Sequence, residues 1–319
     1  MNPKTDGSRA RRPVPNASWY VALLLLAAAS APVQAAKSSQ PAPASSNSVA
    51  PATATSPYAR IVTVGASVTA GFTESEPLGG PNTTRLRLDR YVDAALNVPH
   101  TPVTNLGNTF FFLHPELMGR RQMEQAQNHR PTLVIALDFL FWFLYGEGKT
   151  DADRLTRFEQ GLRLLETVEG PLVLGDIPDA SAAVNGMLRP EQMPSTSALV
   201  AANRRLEEWA AGRPRVVTVK LSEFMRNALA NHAIKLRGHT LPAGQTRRLI
   251  QDDLLHASPH GCAALALAAL EAIQATRPES TSEELRRDPN EVYQLVMKSL
   301  KAAADSAAKP AAPKSSASE

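Results

Sequence analysis

The chain has 319 residues, 43% hydrophobic and 20% charged, enough apolar material for one or two packed domains. Its formal net charge is +4, but three of those charges belong to the first 35 residues (Lys4, Arg9, Arg11 and Arg12 against Asp6). The remainder is nearly neutral, which removes the electrostatic motive for a nucleic-acid partner. A single cysteine, Cys262, excludes an internal disulfide and argues against a structural zinc site.

Residues 1–36 read as a secretory signal. A basic leader precedes the apolar run "WYVALLLLAAASA" (19–31), and small residues suited to cleavage surround Ala35 and Ala36. The run is shorter than the roughly 20 residues a spanning helix needs, so an exported protein, periplasmic or secreted, is expected. Residues 37–57 are rich in Ala, Pro and Ser without apolar periodicity and read as a disordered linker. Residues 301–319 read as a similar tail, leaving one globular domain over 58–300.

Within that domain strand-like and helix-like segments alternate. The strands are "RIVTVGA" (60–66), "TPVTNLG" (101–107), "PTLVIALDF" (131–139), "PLVLGDI" (171–177) and "PRVVTVK" (214–220). The helices are expected over 114–129, 151–170, 195–212 and 258–276, the second and third beginning at Asp or Ser and ending at Gly. Near-continuous apolar strands between amphipathic helices predict a three-layer α/β/α sandwich with a mostly parallel five-stranded sheet, flavodoxin-like in type. Ligands in such folds bind at the carboxyl ends of the strands, which singles out Gly65–Gly71, Asn105–Asn108, Asp138 and Asp176–Ser181.

The first of these stretches, "VGASVTAGF", fits no phosphate loop. A dinucleotide fingerprint requires glycine two residues after Gly65, where Ser67 stands, and a P-loop requires a lysine where Phe72 stands. The strict nucleophile elbow fails because Thr69 occupies its last glycine position. What remains is G-x-S-x-x-x-G, with Ser67 at the strand end as a helix cap or a nucleophile. Near the other end, "LIQDDLLHASPHG" (249–261) sets Asp253 three residues before His256. That spacing lets a carboxylate hold one ring nitrogen while the other takes a serine proton.

Together these blocks resemble the GDSL/SGNH hydrolase superfamily. "GASVTAG" stands for the family's G-D-S-L-x-x-G and keeps Gly65, Ser67 and Gly71, with Ala66 for the acid and Val68 for the leucine. "DLLHASPHG" stands for D-x-x-H-P-S-x-x-G and keeps Asp253, His256, Ser258 and Gly261, with Ala257 for the proline. "TNLGNT" (104–109) holds the glycine position after the second strand, and the resemblance spans about 60–275. It implies Ser67 as nucleophile, His256 as general base and then acid, and Asp253 as its orienting carboxylate. It also implies an oxyanion hole from the N–H groups of Ser67 and Gly107 and a side-chain donor after the third strand.

At that donor position the chain departs from the pattern. The family has G-x-N-D; this chain has "ALDF" (136–139), so Asp138 replaces the asparagine, and an ionised carboxylate donates nothing. Asp138 is either held protonated by burial, replaced by a substitute donor (Asn108 or Asn105), or a mark of a crippled site. A substitute donor is the expectation.

The run "FLFWFLYG" (139–146) that follows reads as core or, through Phe139 and Trp142, as the lining of an acyl pocket. The segment 178–195 reads as a lid or an irregular surface loop, and 72–90 as an insertion whose Arg85, Arg87 and Arg90 read as a solvated charged face or, less favoured, as contacts to an anionic substrate. His260, followed by no third ligand, suggests no metal, and Cys262 a buried small hydrophobe. The expected activity is carboxylic ester hydrolysis on an acyl lipid or O-acetyl glycan, without cofactor or metal. The rival readings are an acyltransferase on the same triad and a periplasmic binding module on a decayed hydrolase fold. Nucleic acid is excluded as a partner; contact with a membrane surface and the oligomeric state are left open.

Overall fold

Five short parallel strands carry the fold in the computed structural model, which describes residues 56–148, 150–236 and 239–307. Residues 1–36, expected to be a signal, most of the expected linker and the residues beyond 307 lie outside the described residues.

In chain order the elements begin with β1 (Ile61–Thr63), a single turn α1 (Ser67–Ala70), α2 (Pro81–Leu86), α3 (Leu88–Ala95) and β2 (Thr104–Asn105). Next come α4 (Pro115–Asn128), β3 (Leu133–Ala136), the short α5 (Phe141–Leu144), α6 (Asp151–Leu165) and β4 (Leu172–Gly175). They are followed by α7 (Thr196–Ala211), β5 (Val216–Val219), α8 (Leu221–Leu229), β6 (Ile234–Leu236) and β7 (His239–Leu241). The last two helices are α9 (Pro259–Gln274) and α10 (Pro289–Ala307).

The sheet order is β2-β1-β3-β4-β5 and every pairing in it is parallel, as the apolar strands predict; β6 and β7 form a separate antiparallel hairpin. Alternation along each strand divides the core in two. Ile61, Leu133, Ile135 and Val173 face a layer made by α3, α8, α9 and α10. Val62, Val134, Ala136, Leu172 and Leu174 face α4, α5, α6 and α7. Because both faces are covered, β3 and β4 are buried at every position, which is why their sequences are continuously apolar rather than alternating. The three-layer α/β/α sandwich is therefore observed. Its strand order places β1 between β2 and β3, so the chain's direction across the sheet reverses there and opens a crevice at the end of β1.

Capping sets where the long helices start. Thr150 and Asp153 form a reciprocal capping box on α6, at 3.2 and 3.1 Å. Ser195 and Ser258 accept from the N–H groups of Ala198 and Gly261 to start α7 and α9. Three features differ from the sequence expectation. The insertion 72–90 holds α2 and the start of α3, and 221–255, with no expected element, holds α8 and the hairpin. Helix α10 runs to Ala307, seven residues past the expected end of the domain at 300. It buries Val292 and Val296, while 301–307 are solvent-exposed and carry a Lys301–Asp305 pair at 2.8 Å. An Ala/Lys-rich composition reads as low complexity, yet Ala and Lys are good helix formers, and a helix seeded by buried valines continues through them.

Candidate active site

The turn after β1 is held from three sides, by Gln122, Asp138 and Asn105. Gly65 has φ = 150°, and a Cβ there would lie 2.1 Å from Asp138 Oδ1, so only glycine fits. Its N–H donates to Gln122 Oε1 at 2.9 Å and its carbonyl accepts from Gln122 Nε2 at 2.8 Å. Gln122, on α4, thereby pairs with Gly65 as a strand would, and the Gly65 carbonyl also accepts from the Asn108 N–H at 3.1 Å. Asp138 accepts from the N–H groups of Val68 (2.8 Å) and Thr69 (3.3 Å) and from the Thr69 hydroxyl (2.6 Å), capping α1. Asn105, at the end of β2, donates to the Thr69 carbonyl at 2.8 Å and to Asp89 at 2.6 Å. The result is a rigid turn that presents Ser67 at the crevice.

The facing loop leaves the end of a 3-10 turn (Thr246–Leu249) and returns into α9, closed by a bridge between Ile250 and Ala257. Asp253 Oδ1 accepts from the N–H groups of Leu255 and His256, both at 2.9 Å, and Oδ2 lies 2.7 Å from His256 Nδ1. Leu254, at the apex, has φ = 62°, a left-handed conformation costly for leucine and of the kind that persists where surrounding bonds impose it. Burial pushes the Asp253 carboxyl up, but the His256 hydrogen bond and charge, with the two backbone donors, outweigh it and leave the group below the ordinary carboxylate value. An ionised Asp253 makes Nδ1 the donor, so Nε2 of a neutral imidazole accepts. Its partner is Ser67 Oγ, at 2.8 Å. Phe72 covers the imidazole, ring centroids 4.6 Å apart.

No family model matches the chain by sequence, and no curated protein does. Among solved structures it is similar to a lipase/acylhydrolase from Enterococcus faecalis at 19% identity and TM-score 0.45, covering 70% of this chain and 100% of that one. It is also similar to an acetylxylan esterase from Geobacillus stearothermophilus at 16% identity and TM-score 0.43, covering 67% and 94%. A third likeness is to the C-terminal catalytic domain of a Streptococcus pneumoniae peptidoglycan O-acetyltransferase, at 11% identity and TM-score 0.39, covering 68% and 94%.

The SGNH-type oxyanion set is not assembled as expected. The Ser67 N–H makes no hydrogen bond among the described residues and is free to receive an anion. The Gly107 N–H is committed to Asn105 Oδ1 at 2.8 Å, because the Asn105 side chain folds back onto its own loop. Asn105 is spent on Thr69 and Asp89. Asn108 accepts from Phe110 N–H at 2.8 Å, and among the described residues its amide reaches the Met118 sulfur alone, at 4.0 Å. Asp138 is an acceptor for three donors. Burial pushes its carboxyl up, while Thr69 and the backbone N–H groups pull it down without cancelling the rise.

The apolar run after β3 divides by helical spacing. Asp138, Phe141 and Trp142, at i, i+3 and i+4, line a cavity with Ser67 and His256; Leu137, Ile177, Phe224 and Leu255 complete much of its wall. Phe139 does not line it. The chain turns immediately after Asp138 and sends Phe139 into the α4–α6 side of the core, where it packs on Phe111 and Phe143 at 5.4 and 5.6 Å. The run is thus both core and cavity wall.

The segment 178–195 is tied down rather than loose. The Tyr145 hydroxyl bonds Pro178 and Ala180, and the Arg154 guanidinium donates to the carbonyls of Leu144, Gly146, Glu191 and Gln192. Arg87 pairs with Asp89 at 3.1 Å. His260 stacks on Tyr293, centroids 3.9 Å apart, and among the described residues no group of three His, Cys, Asp or Glu side chains could hold a metal. Buried Cys262 donates to the Leu86 carbonyl at 3.3 Å, its thiol pushed up to about 12 by burial. Sequence reasoning missed Gln122 and the α8 wall. A lone glutamine on an amphipathic helix carries no signal, and α8 is too short to carry one; what seats it on the cavity is Asp176, just after β4, which binds the Ser222 N–H and hydroxyl at 2.7 and 2.6 Å.

Proposed function

We propose that the protein is a serine hydrolase of the SGNH type that cleaves carboxylic esters through an acyl-enzyme on Ser67. The observation that carries this reading is the continuous Asp253–His256–Ser67 hydrogen-bonded series, at 2.7 and 2.8 Å. Ser67 Oγ attacks the ester carbonyl while its proton passes to His256 Nε2. The tetrahedral intermediate then collapses, and the leaving alcohol takes that proton. A water molecule repeats the sequence on the acyl-Ser67 ester, Nε2 accepting its proton and returning it to Ser67 as the acid departs. Asp253 holds the imidazole in register and stabilises its cationic form. The developing oxyanion faces the Ser67 N–H, one such donor being worth about 3 kcal/mol.

The cavity wall of Leu137, Phe141, Trp142, Ile177, Phe224 and Leu255 favours an acyl chain over a bare acetyl group. Export rests on the signal-like residues 1–36. Asp138, a carboxylate in place of an oxyanion donor, is the observation that favours the other readings: acyl transfer to an alcohol, or binding without turnover.

The test is hydrolysis of p-nitrophenyl esters from acetate to palmitate by wild type, Ser67→Ala and Trp142→Ala. Ser67→Ala should lose about a thousandfold or more with its fold intact. Trp142→Ala should move the preferred chain length while leaving shorter esters cleaved. A folded wild type with no activity on any ester, alone or with an added alcohol acceptor, would sink the catalytic reading.

A further inference from the structure

The proposed chemistry depends on one 2.8 Å hydrogen bond between residues 189 positions apart in the chain. Ser67 is held by its turn and His256 by Asp253, but neither arrangement fixes one loop against the other. The Phe72 ring lies against His256 across the gap, but a ring contact has no fixed register; among the described residues the side chain that ties the two backbones together by hydrogen bonds is Gln251. Gln251 Nε2 donates to the Phe72 carbonyl at 2.9 Å and to the Ala257 carbonyl at 2.9 Å. Phe72 belongs to the nucleophile turn, since its own N–H donates to the Ser67 carbonyl at 2.9 Å, and Ala257 directly follows His256. The Gln251 backbone closes the histidine loop as well: its N–H donates to the His256 carbonyl at 2.8 Å and its carbonyl accepts from Leu254 at 3.2 Å. Both hydrogens of the carboxamide are thereby used, one on each loop. Gln251 does not line the cavity and touches neither reacting group.

We infer that Gln251 is the positioning residue that sets the register between Ser67 and His256, its carboxamide clamping the backbone beyond the nucleophile to the backbone beyond the base. The inference rests on Ser67 being the nucleophile. Losing the clamp frees the loops to drift, and a misplacement of about 1 Å can cost on the order of a hundredfold in rate.

The experiment compares wild type, Ser67→Ala, Gln251→Met and Gln251→Glu. Met keeps the length and removes both donors; Glu sets an acceptor against two carbonyl oxygens. The first readout is the rate of inactivation by a fluorophosphonate, in which Ser67 Oγ bonds to phosphorus, fluoride leaves and the serine proton passes to His256. The second is kcat and KM on the best p-nitrophenyl ester. Gln251→Met should react about ten- to a hundredfold more slowly and lose kcat by the same factor, with KM within twofold and a cooperative melt. Gln251→Glu should lose more. Wild-type rates in a folded Gln251→Met overturn the clamp, as does loss of fold in both Gln251 variants, which would make the residue structural. Failure of wild type to label, or equal labelling of Ser67→Ala, removes Ser67 as nucleophile and the inference with it, a result separate from either of those.

Discussion

Asp138 and Asp253 are both buried carboxyls at the same site, and they answer to pH in opposite directions. Asp138 is raised above the ordinary value of 3.8, chiefly by burial. The folded protein therefore binds its proton where the unfolded chain does not, and the cost of the buried charge is fully present above the folded value and relieved as pH falls towards 3.8. Asp253 is lowered, so its stabilisation is full above 3.8 and is lost as pH falls through its folded value. Replacing Asp138 by asparagine should then raise the melting temperature at neutral pH, with a gain that shrinks towards acid, as melts at pH 7 and 4.5 would measure. The amide can still accept from Val68 N–H and can also donate, so ester turnover should rise, by up to about a hundredfold if an oxyanion donor is gained. A fall in turnover in the folded variant would mean that the carboxylate itself serves the reaction. At this scale Ser67, Asp253 and His256 were legible because each sits in a local block with its own spacing. Gly107 and Phe139 were not, since the partner that occupies an N–H and the direction of a turn are invisible in a window of residues.

Helix α9 shows how an element can govern the site without contributing a reacting group. Its first turn carries Gly261, where an added Cβ would lie 2.0 Å from the Leu249 carbonyl oxygen, a backbone atom that cannot swing aside. The helix start is thus packed directly against the stretch that enters the histidine loop. Gly261→Ala should cost about 1–3 kcal/mol in urea unfolding and also slow ester cleavage, because relief requires the 249–258 loop to shift and His256 moves with it. A loss of stability with unchanged turnover would show that the loop absorbs the strain elsewhere. The capped helices and apolar strands were legible from local signals. The short elements α2, α5 and α8 were not, because four to nine residues hold too little periodicity and are made helical by what they pack against.

For the molecule as a whole, the two cores on either side of the sheet put Cys262 at the centre of the α3–α9 side, 1% exposed, with its thiol pushed up to about 12. Burial removes both access and thiolate, so Cys262 should be inert to a thiol-specific reagent in the native protein and react fully in denaturant. Its reaction rate across a urea series should follow the unfolding curve measured by circular dichroism. Faster reaction would reveal an opening of α9 below the global transition.

By itself the sequence determined the layer architecture, the parallel sheet and the three residues of the candidate triad, since apolar periodicity, capping and block spacing are local properties that survive any packing. The tertiary structure alone decided which of the nearby donors remain free, that Asp138 turns its carboxylate onto the nucleophile turn, and that Gln251 spans two loops. Each of those is a hydrogen bond between residues far apart in the chain, and a donor can be spent only once; which partner it meets is set by packing, not by its neighbours in sequence.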